Sequence, residues 1–355
     1  MIRDFGWSDA LRQAFATFAA QGHEPGRIIV QQRGLYGLAT DHGELTGRMS
    51  GRLAHEAESA GPPAVGDWVA LAARPAERAA TIHAVLPRCS AFVRKAAFTT
   101  ATEQVVAANV DTALLVASMN ADFNPRRLER YLATAWQSGA SPIVVLTKSD
   151  LADDPQSFVD EAAGVAFGAP VLAVSAVTGE GLDALAASLK AGETAVRVGS
   201  SGVGKSSLVN ALAGEGLMAT AAIREGDAHG RHTTTHRELI RLPSGALILD
   251  TPGMRELGLI DAGDGLSATF EDVEALAEAC RFSDCGHTNE PGCAIRDALA
   301  DGSLDPGRWR SFQKLRRELA FQERKEDRAA RAAHRQHWIA VHKAARAHMK
   351  TKYKT

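Results

Sequence analysis

The 355-residue sequence predicts an α/β domain built on a parallel sheet, with a small all-β barrel before it and a small cysteine-rich module after it. Three observations predict this arrangement. Short strand-like runs, separated by glycine and proline and with no convincing helix among them, fill residues 26–92. From residue 109, runs that are apolar on both faces alternate with helix-like segments, which is typical of a parallel sheet. Three cysteines and a histidine then cluster within fourteen residues.

The composition is that of an ordinary soluble protein, with 45% hydrophobic residues, 23% charged residues and a formal net charge of −2. No apolar run approaches the roughly 18 residues that a membrane span needs. Charged residues punctuate the first twenty positions, which predict an amphipathic helix and not a secretory signal. We therefore expect a cytoplasmic protein without a membrane partner. Four cysteines in so long a chain favour a metal site over a disulfide framework, and the isolated Cys89 is expected to be a packed or surface thiol.

The first two predicted units are a helical extension at residues 1–24 and a five-stranded barrel at residues 25–97. The strand-like runs of the barrel are RIIVQQ, GLYGLAT, GELTGRMSGRLA, AVGDWVALAA and ATIHAVL. Trp68 is expected in the barrel core. The α/β domain is assigned to residues 98–262.

A glycine-rich loop predicts phosphate binding. The residues GSSGVGKSS fit the pattern G-x-x-x-x-G-K-[ST] and lie between the strand TAVRV and the helix SSLVNALAG. Backbone N–H groups of such a loop point at phosphates, the lysine contributes a positive charge and the following serine hydroxyl can bind Mg²⁺. The predicted nucleotide-binding residues here are Gly199, Ser200, Ser201, Gly202, Val203, Gly204, Lys205, Ser206 and Ser207. The alternative is a plain glycine-rich turn.

Two further segments complete the predicted phosphate and magnesium site. The run LILDTPG places Asp250 at the end of an apolar strand, near the expected Mg²⁺, and Gly253 in the turn near the γ-phosphate. Ser206 is expected to bind Mg²⁺. One threonine of the run 233–235 is expected to join it as a ligand only while the γ-phosphate is present, and we favour Thr234. The alternative for this run is a β-strand edge.

The base is expected to be read by the motifs TKSD and SA, which resemble the guanine-recognition elements of the translation-factor class of GTPases. A carboxylate at Asp150 can accept hydrogen bonds from N1–H and the 2-amino group of guanine, whereas adenine offers no such donor pair. This preference disfavours an ATP-driven machine. A plain surface turn is the alternative for TKSD. The predicted base-binding residues are Thr147, Lys148, Ser149, Asp150, Ser175 and Ala176.

The order of these motifs predicts a circular permutation. The base-reading loops precede the phosphate loop, which is the reverse of the usual order in GTPases. Ligands bind where parallel strands end, so the loops depend on the position of each strand in the sheet and not on its order along the chain.

The cysteine-rich module is assigned to residues 263–306. Its spacing C-x4-C-x-H-x5-C gives three thiolates and one imidazole, a closed set for one structural Zn²⁺. The predicted ligands are Cys280, Cys285, His287 and Cys293.

The last predicted unit, residues 307–355, is a basic helical extension. From residue 308 onward, 15 lysines and arginines face 4 acidic residues. Such charges would match RNA phosphates, with Trp338 as a stacking anchor, and Arg33, Arg48 and Arg52 of the barrel are weaker candidates for the same role. The alternative for the tail is a solvated helix.

Taken together, the permuted order TKSD, SA, GSSGVGKSS, HTTT and DTPG, between a β domain and the cysteine-rich module, resembles the ribosome small-subunit-dependent GTPase A family over about residues 20–320. The resemblance implies an OB-fold barrel that binds RNA, a circularly permuted P-loop GTPase domain, a zinc-binding domain and hydrolysis of Mg²⁺-bound GTP to GDP and phosphate. It also implies a role in late maturation of the small ribosomal subunit, with binding to that subunit and its rRNA. GTP hydrolysis is then expected to be stimulated by the subunit and followed by release of the protein. Docking on the subunit as a single wedge needs no symmetry, so we expect a monomer.

The sequence does not identify the catalytic group that orients the attacking water. Many GTPases orient the attacking water with a glutamine after the DxxG glycine, and here that position is Met254. His232 and His236 are the candidate replacements, and a ribosomal group is a further one. An alternative function is a nucleotide-switched rRNA-binding scaffold whose hydrolysis is incidental.

Overall fold

The computed structural model describes residues 1–32, 34–95, 103–214, 237–250 and 263–321. The chain begins with a 3₁₀ turn, Ile2–Phe5, and helix α1, Asp9–Ala19, where the amphipathic pattern predicts a helix. The Ser8 hydroxyl caps α1 by accepting a hydrogen bond from a backbone N–H of the first turn. The Trp7 ring lies 4.8 Å from the ring of Trp68, so the extension packs directly on the barrel.

Five strands form a closed barrel in the order β1-β2-β3-β5-β4, and β4 pairs with β1. The strands are β1 (Glu24–Gln32), β2 (Leu35–Thr40), β3 (Gly43–Met49), β4 (Trp68–Arg74) and β5 (Ala79–Val85). All neighbours are antiparallel except β3 and β5, which are parallel. The interior includes Trp68, Leu71, Ile28, Leu38 and Ile82, each at most 1% exposed. The predicted barrel with Trp68 in its core is confirmed.

The expectation that no helix interrupts the barrel is wrong. Helix α2 (Gly51–Ala60) follows β3 directly. Ser50 caps it by accepting a hydrogen bond from the Leu53 N–H, and Leu53 is buried. The sequence pattern predicts a strand-like run that continues past residue 50, because the serine cap follows β3 without a break. A parallel pair such as β3 and β5 also needs a long connection between its strands, and α2 is part of it.

A two-stranded antiparallel sheet of β6 (Ala91–Lys95) and β7 (Glu103–Ala108) leads from the barrel into the α/β domain. The α/β sheet has the strand order β10-β9-β8-β11-β13-β12. Its strands are β8 (Thr112–Ser118), β9 (Ser141–Thr147), β10 (Val171–Val174), β11 (Thr194–Val198), β12 (Arg237–Arg241) and β13 (Leu247–Asp250). The first five in this spatial order are parallel and β12 is antiparallel to β13, so the predicted parallel sheet is confirmed.

Helices cover both faces of this sheet, which is why its strands are apolar on both sides. One face packs against α3 (Pro125–Ser138) and α4 (Pro155–Ala163) through residues such as Leu132 and Ala162. The other face packs against α5 (Leu182–Ala187) and α6 (Lys205–Ala213) through Leu185 and Leu208. Chain order runs from β8 outward to β10 and then returns to β11 beside β8. The crevice at the carboxyl ends of β8 and β11 is therefore where a ligand is expected.

The barrel joins the α/β domain by main-chain pairing. Strand β1 pairs antiparallel with β12, Val30 opposite Glu238 and Gln31 opposite Arg237, so one sheet of eleven strands runs through both units. The buried Arg27 side chain also spans this junction. Its hydrogen-bond acceptors are the backbone carbonyls of Phe5, Gly66 and Asn109 and the hydroxyl of Thr194, at the start of β11.

The C-terminal module contains helices α7 (Gly263–Thr269), α8 (Glu271–Glu278) and α9 (Ala294–Asp301), and residues 306–321 are also helical. Its core is built from Phe270, Val273, Ile295, Trp309 and Phe312. The module packs on α3 of the α/β domain, where Ala133 belongs to the same apolar cluster.

Buried ion pairs cross this second junction. Arg308 is 4% exposed and contacts Glu129 of α3 at 3.0 Å and Asp272 of α8 at 2.6 Å. Glu129 is fully buried and also accepts a hydrogen bond from Arg126 at 2.6 Å. The guanidinium of Arg308 lies over the Phe270 ring as well.

Within the part of the chain that the structure describes, no helix combines the length and apolar character needed to cross a membrane.

Candidate functional site

The glycine-rich loop leaves β11 and ends at the first residue of α6, Lys205, as the motif predicts. The loop passes so close to β8 that a Cβ on Gly199 would lie 2.3 Å from the Val116 carbonyl oxygen. Val203 is buried under the loop, whereas Ser206 and Ser207 are exposed in the first turn of α6. The loop therefore packs against β8 on one side and is open at the N-terminus of α6, which suits the binding of an anion.

The ammonium group of Lys205 lies over the loop. It donates hydrogen bonds to the backbone carbonyls of Gly199, at 2.8 Å, and Ser200. These carbonyls hold the cation close to the loop, and phosphate oxygens of a bound nucleotide would be stronger partners for it.

The loop with the TKSD motif (the base loop) contacts the glycine-rich loop at residues 199–205 (the phosphate loop) directly. Thr147, at the end of β9, donates a hydrogen bond from its hydroxyl to the Val203 carbonyl at 2.6 Å. The same hydroxyl lies 3.2 Å from the carbonyl of Ala117 on β8. Residues 147 and 203 are far apart in sequence, so the permuted motifs lie side by side at one edge of the sheet. Lys148 follows in the left-handed backbone region, at φ 64°.

The loop that carries Ser175 and Ala176 fixes the side chain of Asp150, which belongs to the TKSD loop. The buried Ser175 hydroxyl donates a hydrogen bond to Asp150 Oδ1 at 2.6 Å. Backbone N–H groups of Val177 and Thr178 in turn donate to the Ser175 oxygen. Asp150 is exposed and Ala176 is partly buried. The carboxylate is thus held in place by the neighbouring loop and opens to the outside, as a base-binding acid requires.

A glutamate that the sequence did not single out ties these two loops together. Glu180 Oε2 lies 3.3 Å from the Ser149 hydroxyl, and the Glu180 carbonyl accepts the Ser175 N–H at 2.9 Å. No motif marks this position, because its role depends on a contact between two loops.

Asp250 ends β13 on the same face of the sheet as α6. Its Oδ1 accepts a hydrogen bond from Arg197 of β11 at 2.7 Å. Arg197 is the other residue at this predicted site that the sequence analysis does not single out, and a charge inside the apolar run TAVRV is the available signal.

Four predicted site residues lie outside the described part of the chain: His232, Thr234, His236 and Gly253. Met254, which stands where many GTPases have glutamine, also lies outside it. The same holds for Arg33 and Trp338 among the expected RNA-binding residues. Arg48 and Arg52 are described and exposed, and Arg52 pairs with Glu56 at 2.8 Å. The isolated thiol of Cys89 is exposed.

The predicted zinc ligands come together in the C-terminal module. One ligand atom from each of Cys280, Cys285, His287 and Cys293 lies within 4.8 Å of all the others. The Cys280 and Cys293 sulfurs are 3.9 Å apart. His287 Nδ1 lies 3.6 Å from the Cys280 sulfur and 3.5 Å from the Cys293 sulfur. Tetrahedral Zn–S bonds of about 2.3 Å give sulfur separations near 3.8 Å, so the donor set fits a zinc ion in chemistry and in spacing.

The thiols of this cluster influence one another's pKa. The pKa of Cys285 is raised to about 11: the His287 backbone N–H lowers it, but burial and the adjacent thiols of Cys293 and Cys280 raise it more. Because zinc is bound by thiolates, binding to this set must release protons.

Comparison with known proteins agrees with this geometry. A family model described as RsgA GTPase matches residues 85–260. A relative from Opitutus terrae, named small ribosomal subunit biogenesis GTPase RsgA, is 46% identical over 98% of this chain and 97% of its own length. A relative from Listeria innocua, named small ribosomal subunit biogenesis GTPase RsgA 1, is 46% identical over 93% of each chain.

Two solved structures extend the comparison to the fold. YjeQ from Thermotoga maritima superposes with a TM-score of 0.61 at 26% identity, covering 84% of this chain and 99% of that one. YloQ, described as a circularly permuted GTPase, superposes with a TM-score of 0.57 at 26% identity, covering 86% and 96%. The similarity therefore spans several units of the chain and is not confined to the nucleotide motifs.

Proposed function

The chain belongs to the RsgA family of small ribosomal subunit biogenesis GTPases, and from this premise we propose how it binds and hydrolyses GTP on the small subunit. It is a GTP hydrolase whose α/β domain is circularly permuted.

One observation carries the assignment of the nucleotide site: the hydrogen bond from the Thr147 hydroxyl to the Val203 carbonyl. It joins the base loop to the phosphate loop, so one nucleotide can contact both. In this site Asp150 accepts hydrogen bonds from guanine N1–H and the 2-amino group, and Ser175 keeps the carboxylate oriented. Lys148 lies along the base, and the Ala176 N–H donates to the guanine O6.

The phosphate groups lie at the N-terminus of α6, where loop N–H groups and Lys205 neutralise their charge. Lys205 exchanges its loop carbonyl partners for phosphate oxygens when the nucleotide binds. The Ser206 hydroxyl and the Asp250 carboxylate are oxygen donors of the kind that Mg²⁺ prefers, so these residues fit the ion. Bound Mg²⁺ supplies positive charge to the phosphates during transfer. Thr234 and Gly253 complete this set in the proposal.

Hydrolysis by the free protein is slow in this proposal. Met254 has no group that can orient a water molecule, so that task falls to His232, to His236 or to a ribosomal group. Docking on the subunit completes the site, in the way that an activating partner does for other GTPases.

The remaining units provide attachment to the subunit. We assign residues 25–97 to an OB-fold that binds rRNA, residues 98–262 to the GTPase domain and residues 263–306 to the zinc domain. Residues 1–24 are a helical extension of the barrel, and residues 307–355 are a basic extension that adds phosphate contacts. One structural Zn²⁺ bound by the three cysteines and His287 stabilises the zinc domain. The protein acts in the cytoplasm as a monomer.

The decisive experiment measures GTP turnover with and without purified small subunits at low salt. We expect stimulation of up to about 10³–10⁵-fold, since an activating partner has an effect of that size in related systems. Large subunits serve as the control. No stimulation by small subunits would refute the ribosomal assignment. A Lys205→Ala variant that retained full maturation activity in cells would instead support the scaffold function.

Base specificity is tested separately with Asp150→Asn. We expect the affinity for GTP to fall about 100-fold, because two donor groups of guanine lose their ionised acceptor. Asp153→Asn, an exposed acid three residues further on, removes the same charge and should leave affinity unchanged. Equal nucleotide preference in the two variants would show that Asp150 does not read the base.

A further inference from the structure

Arg197 is a charged residue in an unusual place. It lies on β11, the strand that leads into the phosphate loop, between the buried residues Val196 and Val198. The residue itself is only 7% exposed. A buried guanidinium is costly unless its N–H groups are paired, so its partners indicate its role.

The two partners of Arg197 both belong to the proposed magnesium side of the site. One terminal nitrogen donates to Asp250 Oδ1 at 2.7 Å, and the other donates to the Lys205 backbone carbonyl at 2.8 Å. Ser206, the proposed hydroxyl ligand of Mg²⁺, is the next residue after Lys205. Arg197 therefore links the strand end that carries the carboxylate to the helix turn that carries the hydroxyl.

In the part of the chain that the structure describes, one acid forms a salt bridge with Arg197. Within the described residues, its Nε has no hydrogen-bond partner, and Asp250 is its salt-bridge partner. Burial lowers the pKa of Arg197 and Asp250 raises it, but arginine stays protonated in proteins. One carboxylate therefore faces one permanent cation before any metal binds.

We propose that Arg197 is a positioning residue that fixes Asp250 against the first turn of α6 and acts as a built-in positive charge beside the magnesium site. This inference rests on the proposed GTPase site. Asp250 divides its negative charge between Arg197 and the metal, so the site binds Mg²⁺ more weakly than an unpaired carboxylate would. The same cation favours phosphate binding when Mg²⁺ is absent. Arg197 thus makes nucleotide affinity less dependent on magnesium.

The test is a binding measurement without turnover, using a fluorescent GDP analogue and the full chain. Mg²⁺ is titrated into the protein–GDP complex, and the concentration at half-saturation is recorded. For Arg197→Met we expect this concentration to fall about tenfold, since the repelling cation is gone and Asp250 has lost its competitor. In excess chelator, the same variant should bind GDP more weakly than the wild type does. Arg197→Lys keeps the charge, and its half-saturation should stay within about twofold of the wild-type value.

Arg241→Met is the matched control. Arg241 lies on β12, which is separated from β11 by β13. Its side chain is 52% exposed, and its salt bridge to Asp4 is long, at 3.6 Å. Removing this charge should leave both titrations unchanged. If Arg197→Met does not fold, Arg197→Gln carries the same prediction, because it is also neutral and retains hydrogen bonding.

The inference is overturned if a folded neutral variant has the wild-type magnesium half-saturation, or if the lysine variant shifts as far as the neutral one. Its failure differs from failure of the proposed function. In the second case, the wild-type protein itself would bind no guanine nucleotide.

Discussion

The two units that flank the α/β domain are attached to it in different ways. The barrel is joined through main chain: β1 extends the sheet at β12, and the acceptors of Arg27 are three carbonyls and a hydroxyl. The C-terminal module is joined through charged side chains, with Glu129 of α3 enclosed by Arg308 and Arg126. One junction thus combines main-chain pairing with a buried arginine whose acceptors are neutral, and the other is made of buried ion pairs.

This difference determines how much stability each junction loses when one side chain is substituted. A neutral carbonyl left without a donor costs about 1–3 kcal/mol, whereas breaking one side of a buried ion pair costs about 3–5 kcal/mol. The ionic junction therefore holds the module in one position on α3 and is the more sensitive to single substitutions. The main-chain junction depends less on any one side chain, and it links the barrel to the strand that follows the predicted threonine switch.

The largest predicted effect is at the ionic junction. Arg308→Met should lower the free energy of unfolding by about 3–5 kcal/mol, because it leaves the buried Glu129 and the nearby Asp272 without their shared cation. Denaturation by urea, followed by tryptophan fluorescence, measures this loss. Arg310→Met removes an exposed charge two residues away and should change stability by less than about 0.5 kcal/mol. A similar small loss for both variants would mean that the ion pairs do not hold the module.

A smaller effect is expected from the corresponding change at the barrel. Arg27→Met should cost about 2–3 kcal/mol, since the groups it leaves behind are neutral carbonyls and a hydroxyl. Loss of the guanidinium over the Trp68 ring, 5.3 Å from its centroid, adds to this cost. Arg12→Met, on the exposed face of α1, is the control. If Arg27→Met proved as damaging as Arg308→Met, the contrast between the two junctions would be lost.

The smallest predicted effects come from a glycine at each junction. A Cβ on Gly66 would lie 2.0 Å from the Ala108 carbonyl oxygen, and a Cβ on Gly265 would lie 2.1 Å from that of Ala133. Gly66→Ala should cost about 2 kcal/mol and Gly265→Ala about 1 kcal/mol, because only Gly66 has a positive φ, at 93°, and strain adds to the clash.

Gly51→Ala is the control for this pair, since a Cβ there meets nothing within 4 Å. The midpoints of thermal unfolding for the three variants give the order. A larger loss for Gly265→Ala would indicate that the helical junction is the more rigid of the two.

The parts of the molecule that the sequence predicted share one property: their chemistry is local. The phosphate loop, the TKSD strand end and the cysteine spacing are each recognisable within a few residues, because a loop or a metal needs those residue types close together. Alternation of apolar runs similarly gave the parallel sheet, since burial on both faces removes the polar positions from a strand.

What the sequence did not reveal depends on distant contacts. Arg308 and Glu129 are 179 positions apart, and Arg27 and Thr194 are 167 apart, so no local pattern links them. Arg197 could have been noticed as a charge in an apolar strand, but its partner Asp250 is identified only once β11 and β13 are paired. Helix α2 was missed for a different reason, as its serine cap follows a strand without a break.

The pairing of β1 with β12 has a practical consequence for any shortened form of the protein. Strand β1 covers the hydrogen-bonding edge of β12, so removing residues 25–97 would leave β12 as an open edge strand. The barrel alone would expose the end of β1 at Val30 and Gln31, beyond its pairing with β4. Unpaired edges of this kind recruit strands from other molecules. A nucleotide domain produced without its barrel is therefore expected to self-associate, even with every nucleotide-binding residue intact.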